Sequence, residues 1–381
     1  RSWKIILGPW LWWFLDTVFE RYQSLKCHLR KNPNKDYYAF FFKKKEKLFP
    51  KSVEKMSNFY FDEFWTHQIF FKITKYFFSN RINIHLSKTS DFKVNKFILD
   101  HEKFYKKSSS SLMNIIKPLS RNQKYLVCRG TFDIKKEIEL NYKLRSIPNL
   151  EIPTNFTLTD KIDNNLRLNL FSDIKNLNDK FEKFIFHIIG EEIPTTFLEN
   201  FKKLYSEVDN LNLPKCPKII FGTTHLYFFT MMMFYTAKRI EENKSKLFYF
   251  QHGTENGFSL KNFNEDHEID VADKYFTWGW KKNISKVKPF AITKNIRVYK
   301  KNDFKKNKKI LFILRTSGLF FRSGSSLIGY KDWKNYLSDT MKFPKLLNKS
   351  NLNNLIVRFR KEKDNRNEKI NWQKKWKNIN F

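Results

Sequence analysis

Short apolar segments alternate with helical segments from about residue 181 onward, and this alternation restricts the fold more than any other feature of the 381-residue chain. Each apolar segment has five or six residues, a length typical of a buried strand. The predicted strands are Lys218–Gly222, Lys246–Gln251, Lys274–Trp278, Lys309–Leu314 and Asn354–Phe359, and the predicted helices include Leu226–Ile240 and Asp332–Phe343. This order predicts an α/β fold with a parallel sheet and helices on both of its faces.

A basic stretch with one proline, Ser285–Lys308, separates two series of predicted strands and helices. We therefore predict one domain over residues 1–290 and the start of a second over residues 303–381. Only about 75 residues remain for the second domain, which is short of the roughly 100–150 that a domain usually has. We expect the second domain to be truncated and the chain by itself to be inactive or nearly so.

The N-terminal part is predicted to be mainly helical. In Trp10–Lys26 apolar side chains recur at helical spacing, and Pro9 suits the first turn, where its missing N–H has no partner to lose. Phe59–Phe78 is a second aromatic helical segment. Thr196 and Glu199 have the spacing of a capping box and predict the start of a further helix.

The composition excludes a disordered chain, because 18% of the residues are aromatic and 41% are hydrophobic. The three cysteines are far apart and form no CxxC pair, which argues against a disulfide framework or a cysteine zinc site. We expect a reduced, cytoplasmic protein. No segment reaches the ~20 apolar residues that a membrane span requires.

The formal net charge is +35, from 73 Lys and Arg against 38 Asp and Glu. One interpretation is an anionic partner such as a nucleotide, a phospholipid surface or a nucleic acid. The other is a codon bias that favours Lys and Asn without a functional reason. The lysines are spread along the chain and no known nucleic-acid-binding module is present, which argues against nucleic acid.

Polar residues follow the predicted strands at the end where ligands bind in open α/β sheets. They are His225 after the first strand; Gln251, His252, Gly253 and Thr254 after the second; Arg315, Ser317, Arg322 and Ser323 after the fourth; and Arg358 in the last. Histidine can act as a base near neutral pH, and the arginine guanidinium suits a bidentate phosphate contact. Each residue also has a structural alternative: a turn histidine bonded to local backbone, or a surface arginine. No Walker A, GxGxxG or GxSxG motif is present.

We predict that His252 is the central site residue of the first domain, because a buried strand would hold it rigidly and Gly253 has no Cβ to block a substrate. His225 is the competing candidate. Asp266, His267 and Glu268 follow about a dozen residues later and are predicted to orient the imidazole. As a metal site this cluster is weak, because it lacks two ligands at i, i+4 spacing, and a capped helix start or a solvated loop is favoured.

Two tryptophans follow the third predicted strand. Trp278 and Trp280 flank a glycine and are predicted to stack on a base or a sugar. Packing between domains is an equal alternative.

Several motifs, taken in order and spacing, resemble a family of transferases from bacterial surface-polysaccharide (O-antigen) gene clusters. They are Ile5–Leu11 (IILGPWL), Glu20-Arg21-Tyr22, Ile193-Pro194, Lys218–Phe221, Gln251-His252-Gly253, Glu265–Ile269 (EDHEI) and Thr277–Trp280 (TWGW). A second glycine commonly follows the HG pair in that family. Thr254 stands there instead, which makes the loop similar to the HGT of glycerophosphate and capsule transferases.

The resemblance implies a GT-B-like fold with two Rossmann-like domains, the first on the acceptor side and the second on the donor side. It implies a transferase that moves a nucleotide-activated sugar or related group to a glycan or lipid-linked acceptor, with no required metal and no cofactor besides the activated donor. We expect a cytoplasmic location with peripheral contact to an anionic membrane, aided by aromatic residues in Tyr37–Phe42 and Phe59–Phe78. The alternative is a noncatalytic basic protein that binds nucleic acid or anionic membrane.

Overall fold

The computed structural model describes residues 1–42, 51–52, 54, 62–87, 117–149, 156–159, 161–170, 177–253, 255–259, 261–293, 309–315, 330–359, 368–377 and 379. Contacts between Cα atoms divide the chain into two units, Arg1–Ile296 and Arg297–Phe381. That residues 1–290 and 303–381 form two separate domains remains a prediction.

The first unit alternates strands and helices through most of its described length. Its strands are β1 Tyr37–Phe42, β2 Ile82–Ser87, β3 Tyr125–Val127, β4 Ile219–Gly222, β5 Lys246–Phe250, β6 Lys274–Thr277 and β7 Val287–Pro289. Its α-helices are α1 Ser2–Lys31, α2 Glu63–Phe77, α3 Ile134–Lys143, α4 Asn164–Asn169, α5 Lys180–Glu192, α6 Phe201–Glu207, α7 His225–Phe228, α8 Thr230–Asn243 and α9 Phe263–Val271.

Strands β3 to β7 form one five-stranded sheet in the order β3-β4-β5-β6-β7, and every neighbouring pair is parallel. β5 is central, with Leu247 opposite Ile220 and Tyr249 opposite Tyr275. These four side chains are buried in a core to which α1 and α8 also contribute. The predicted parallel α/β architecture is confirmed, and the sheet is compatible with a Rossmann-like fold.

Helix α1 begins eight residues before the predicted start at Trp10, so the prediction that Pro9 lies in its first turn is wrong. Pro9 lies inside the helix, where it removes one backbone donor. Ile5, Ile6 and Trp10 are almost completely buried, and α1 packs against α8 and α9. Burial of this apolar face stabilises the helix on both sides of the proline.

The single helix predicted over Leu226–Ile240 is divided into α7 and α8. Phe229 between them has extended backbone, with φ −129° and ψ 103°. The Glu54 carboxylate accepts hydrogen bonds from the Thr230 backbone N–H at 2.6 Å and from the Thr230 hydroxyl at 2.7 Å. A distant carboxylate therefore caps α8 and stabilises the break, since it supplies a partner for an unpaired N-terminal donor.

The predicted capping box of Thr196 and Glu199 is also wrong. Residues Thr195–Phe197 form a 3-10 turn, and α6 begins at Phe201. The Glu199 carboxylate instead accepts hydrogen bonds from the Arg167 guanidinium at 2.5 and 2.8 Å. A buried bidentate ion pair outcompetes the local backbone contact for this side chain.

Four strands of the first unit were not predicted: the two edge strands of the five-stranded sheet, β3 and β7, and the separate pair β1 and β2. β3 has three residues, and β7 lies within the basic stretch Ser285–Lys308 that we predicted to separate the two domains. β1 and β2 form a separate parallel pair, with Phe40 opposite His85. The predicted aromatic helix is present as α2, whose first turn is capped by the Asp62 side chain.

The second unit contains a two-stranded parallel sheet of β8 Ile310–Leu314 and β9 Leu355–Phe359, together with α10 Tyr330–Lys342, α11 Lys349–Asn353 and α12 Glu368–Lys375. Its core includes Leu314, Leu355, Val357 and Trp372. The predicted strand, helix and strand are present, and α12 follows them. No helix among the described residues of either unit is long and apolar enough to cross a membrane.

Candidate active site

The candidate site lies at the carboxyl edge of the five-stranded sheet. Because β3 to β6 are parallel, the segments that follow them meet at this edge. They are Cys128–Asp133 after β3, Thr223–His225 after β4, Gln251–Gly253 after β5 and Trp278–Trp280 after β6. The sheet thus brings together polar groups that are far apart in the chain.

His252 forms a pair with Glu268 at the end of the central strand. Its Nδ1 lies 3.3 Å from Glu268 Oε1, with the His252 side chain 26% exposed and the Glu268 side chain fully buried. Asn262 caps α9 by accepting hydrogen bonds from the backbone N–H groups of Asn264 and Glu265. This cap fixes where α9 begins, so that Glu268 lies on the helix face towards β5 and β6.

The other oxygen of Glu268 is held by two donors. The Tyr275 hydroxyl donates to Oε2 at 3.0 Å and the Asn256 amide donates to it at 3.4 Å. Burial raises the pKa of Glu268 well above its ordinary value, whereas the hydrogen bond from Tyr275 acts in the opposite direction. Oε1 therefore faces His252 Nδ1, and Nε2 is the ring nitrogen that does not face Glu268.

Gln251 connects the loops that follow β5 and β6. It is buried, and its Nε2 donates to the Gly253 carbonyl at 2.7 Å. Its Oε1 accepts from the Trp278 backbone N–H at 2.8 Å and from Trp280 Nε1 at 2.9 Å. Gln251 and Trp280, both predicted to bind substrate, thus join the two loops that border the site. Trp278 is half-buried beside them.

Two glycines of the loop after β5 have different surroundings. A Cβ on Gly253 would meet nothing within 4 Å, so the space beside it is open. Gly257 has φ +85°, and a Cβ there would lie 2.7 Å from Trp280 Nε1. Only Gly257 therefore needs to be glycine for backbone and packing reasons.

Helix α9 directs the side chains of the predicted cluster, Asp266, His267 and Glu268, to three different sides. Only Glu268 reaches His252. Asp266 is exposed and lies 3.5 Å from Lys282 Nζ. His267 is buried against α1, where a Cβ on Gly8 would lie 2.3 Å from its ring, and burial lowers the pKa of His267 to about 4.

His225 is buried at the end of β4, and both of its ring nitrogens contact backbone. Nδ1 accepts a hydrogen bond from the Thr223 N–H at 3.3 Å, and Nε2 contacts the Arg129 carbonyl oxygen. An imidazole that accepts at Nδ1 must carry its proton at Nε2. His225 therefore fastens the loop after β3 to the loop after β4.

Sequence reasoning missed two contributors to this edge. Asn256 donates to both Glu268 and Tyr275, and its position in the loop gave no signal for that contact. Arg129 follows β3 and its guanidinium lies 3.3 Å from the buried Glu137 carboxylate, whose pKa is raised by burial. The Cys128-Arg129-Gly130 turn after an apolar triplet would have been the signal for Arg129.

In the second unit, Arg315 and Arg358 lie at the same end of β8 and β9. Arg358 is opposite Ile313, two residues before Arg315, and both arginines are exposed. The Arg315 backbone N–H donates to the Tyr336 hydroxyl at 2.7 Å. The other predicted residues, Thr254, Ser317, Arg322 and Ser323, lie outside the described residues.

Within the part of the chain that the structure describes, no three His, Cys, Asp or Glu side chains are grouped to hold a metal ion.

Fold and site together define an α/β protein with a histidine–carboxyl pair at the carboxyl edge of a parallel sheet. The chain belongs to the LIC12162 family of transferases, whose family model matches residues 1–381. Comparison with curated proteins and with solved structures finds no match. The resemblance to a transferase family is thereby confirmed.

Proposed function

We propose that this transferase moves a nucleotide-activated sugar or related group to a hydroxyl of a glycan or lipid-linked acceptor in surface-polysaccharide (O-antigen) biosynthesis. We further propose that it does so on a GT-B-like pair of Rossmann-like domains. The observation that carries the proposal is the His252–Glu268 pair at the end of β5, since group transfer to a hydroxyl needs a base at a substrate-binding edge.

In this proposal His252 Nε2 accepts the proton of the acceptor hydroxyl. The acceptor oxygen forms a bond to the transferred group as the bond from that group to the nucleotide breaks, and the nucleotide leaves with the electron pair, as a diphosphate from a sugar nucleotide or as CMP from CDP-glycerol. The step requires Glu268 to be ionised in the complex with substrates, so that its Oε1 accepts from the Nδ1–H group and stabilises the imidazolium. The open space beside Gly253 admits the acceptor. The proton then passes from His252 to solvent.

The leaving diphosphate needs positive charge, which we assign to the second unit. Arg315 follows β8 and Arg358 lies near the end of the neighbouring parallel strand β9, and both can contact phosphate oxygens with planar guanidinium groups. Ser317, Arg322 and Ser323 are proposed to extend this donor-side site. The proposal requires neither a metal nor a further cofactor.

We propose a cytoplasmic location with peripheral attachment to the inner face of the membrane, where a lipid-linked acceptor lies. The net charge of +35 supports attachment, because each Lys or Arg near an anionic leaflet contributes roughly 1 kcal/mol. Co-sedimentation at low salt with vesicles of phosphatidylcholine and of phosphatidylglycerol checks it. Equal binding to the two would contradict it.

Calorimetry with the protein expressed from its complete gene tests the proposed activity. UDP-glucose, GDP-mannose and CDP-glycerol are titrated separately, with a mixed-sequence DNA duplex as the control for nonspecific attraction to cations. We expect at least one activated donor to bind at a salt concentration that abolishes DNA binding. DNA binding without affinity for any of these donors would instead favour the noncatalytic basic protein.

A further inference from the structure

A cavity of about 560 Å³ lies in the first unit between α2, α5 and the end of β1. One part of its wall is apolar and includes the rings of Phe42, Phe64, Phe71, Tyr76 and Phe184, and the other part is polar, with His67, Gln68, Lys72, Lys75, His187 and Glu191. A volume of this size fits a small ligand, since ligand sites usually measure roughly 300–1,000 Å³. We refer to it as the aromatic cavity; none of its lining residues belongs to the site described above.

Several polar groups on its wall already have partners. Lys72 Nζ lies 2.5 Å from the Glu192 carboxylate and 2.9 Å from that of Glu191. Gln68 donates to Glu192 at 3.2 Å, and His67 Nε2 contacts the Phe40 carbonyl at 3.2 Å. A ligand recognised through many hydrogen bonds, such as a nucleobase, would have to compete with these contacts, whereas an apolar chain requires none of them.

The two lysines that line the cavity, Lys72 and Lys75, have different surroundings. Lys75 lies on α2, one turn after Lys72, and its side chain is exposed. Among the described residues, no carboxylate oxygen lies within 4 Å of its ammonium group. Lys75 can therefore bind an anionic group at the rim without giving up an ion pair.

Next to the cavity, β1 presents aromatic side chains to solvent. Tyr38 is 61% exposed and Phe40 is 69% exposed, and both rings stack on His85 of β2 at centroid distances of 5.8 and 5.2 Å. The Phe40 carbonyl is joined to His67 on the cavity wall. Exposed aromatic patches mark surfaces that bind a membrane or another protein, and aromatic rings with a polar edge suit the boundary between lipid and water.

We propose that the aromatic cavity binds the apolar chain of an amphiphile with a single anionic head group, and that Lys75 contacts that head group. The exposed face of Tyr38 and Phe40 meets the membrane from which the amphiphile enters. The proposal goes beyond the transfer reaction and does not depend on it, because binding here involves neither His252 nor a nucleotide.

Calorimetry with the full chain and farnesyl monophosphate, kept below its micelle concentration, tests this proposal. Farnesol and inorganic phosphate separate the contributions of chain and head group. We expect farnesyl monophosphate to bind, farnesol to bind more weakly and phosphate alone not to bind. Lys75→Ala should weaken farnesyl monophosphate about fivefold, as the loss of roughly 1 kcal/mol implies, and leave farnesol unchanged.

Two further variants control the position of the ligand. His187 is exposed on α5 and lines the cavity, so His187→Trp should fill its mouth and weaken both farnesyl compounds at least tenfold. Lys183→Ala removes the same charge as Lys75→Ala from an exposed position of α5 outside the cavity and should change nothing. Circular dichroism tests whether each variant folds.

Three results would overturn the proposal. The first is no binding of farnesyl monophosphate to the unaltered chain. The second is binding that Lys75→Ala weakens no more than Lys183→Ala does, which decides the matter even if His187→Trp fails to fold. The third is displacement of farnesyl monophosphate by uridine monophosphate, which would assign the cavity to a nucleotide.

Discussion

The ends of β4 and β5 are neighbours in one parallel sheet, and each strand is followed within three residues by a histidine. His225 is 1% exposed, and both of its ring nitrogens contact backbone groups. The His252 side chain is 26% exposed, and its Nδ1 meets the buried carboxyl group of Glu268. The same residue type at the same edge thus has two different environments.

This difference shows that partners rather than position decide what a histidine can do. A backbone carbonyl and a backbone N–H have fixed hydrogen-bonding roles, so they lock His225 in one neutral tautomer. An ionised carboxylate can accept a hydrogen bond from Nδ1–H in both the neutral and the protonated ring. His252 can therefore change its charge during a reaction at far lower energetic cost than His225.

The largest effect expected is on the rate of transfer. His252→Ala in the complete protein should reduce the rate by ~10²–10⁴-fold, which is the usual contribution of a general base. The rate is measured with the donor that calorimetry identifies, on protein whose fold is verified by circular dichroism.

His225→Ala provides the matched control at the neighbouring strand, and its folded fraction should transfer at a rate within about tenfold of the parent. A parent-like rate for folded His252→Ala would remove the catalytic assignment and leave that histidine with a structural role.

The second effect is on stability, and here we expect His225→Ala to have a larger effect than His252→Ala. His225→Ala leaves the Thr223 N–H and the Arg129 carbonyl without their partner, and each unsatisfied buried group costs about 1–3 kcal/mol. We expect the free energy of unfolding, measured in urea, to fall by about 2–6 kcal/mol. His252→Ala should change it by less than about 1 kcal/mol, because its ring is partly exposed. Equal losses in the two variants would contradict the comparison.

The sequence predicted the strands that identify themselves by length and composition. Lys246–Gln251 and Lys309–Leu314 are long enough to show a continuous apolar run, and both are strands. β3 and β7 have three residues each and are recognisable only from their pairing with β4 and β6. The conformation of these short segments depends on pairing with a strand that is distant in the chain, and the local sequence does not reveal that pairing.

For the site, the sequence indicated which residues are present but not which of them meet. Asp266, His267 and Glu268 are consecutive on α9, and each residue of a helix is rotated by about 100° from the one before. Three consecutive side chains therefore cannot all face one imidazole. Helical periodicity could have separated them, but the choice of Glu268 depends on where Asn262 caps the helix.

The third effect concerns the histidine that α9 directs away from the edge. Burial lowers the pKa of His267 to about 4, so the unfolded chain, with a pKa near 6.5, binds more protons between these values. The stabilising contribution is complete above about pH 6.5 and is lost as the pH falls towards about 4. Between pH 7.5 and pH 5 the parent should lose about 2 kcal/mol more than His267→Gln, which does not titrate.

Urea unfolding of both proteins at the two pH values measures this difference. The quantity compared is the difference between the two proteins in stability lost from pH 7.5 to pH 5. Buried carboxyl groups such as Glu268 have raised pKa values and change stability in the opposite sense, but they do so equally in both proteins and cancel. Identical pH dependence in the parent and in His267→Gln would show that the buried imidazole is not the group responsible.

The smallest effect on stability is expected at Gly253, in the loop that leads from His252. Its φ is not positive, and an added Cβ would meet nothing within 4 Å, so Gly253→Ala should change the free energy of unfolding by less than about 1 kcal/mol. Gly257→Ala is the matched control, because its φ of +85° and the nearby Trp280 ring should reduce stability by about 1–3 kcal/mol. If the acceptor occupies the open space beside Gly253, the added methyl group raises KM several-fold while the fold stays intact. An unchanged KM would place the acceptor elsewhere on the carboxyl edge and confine the role of this loop to holding His252.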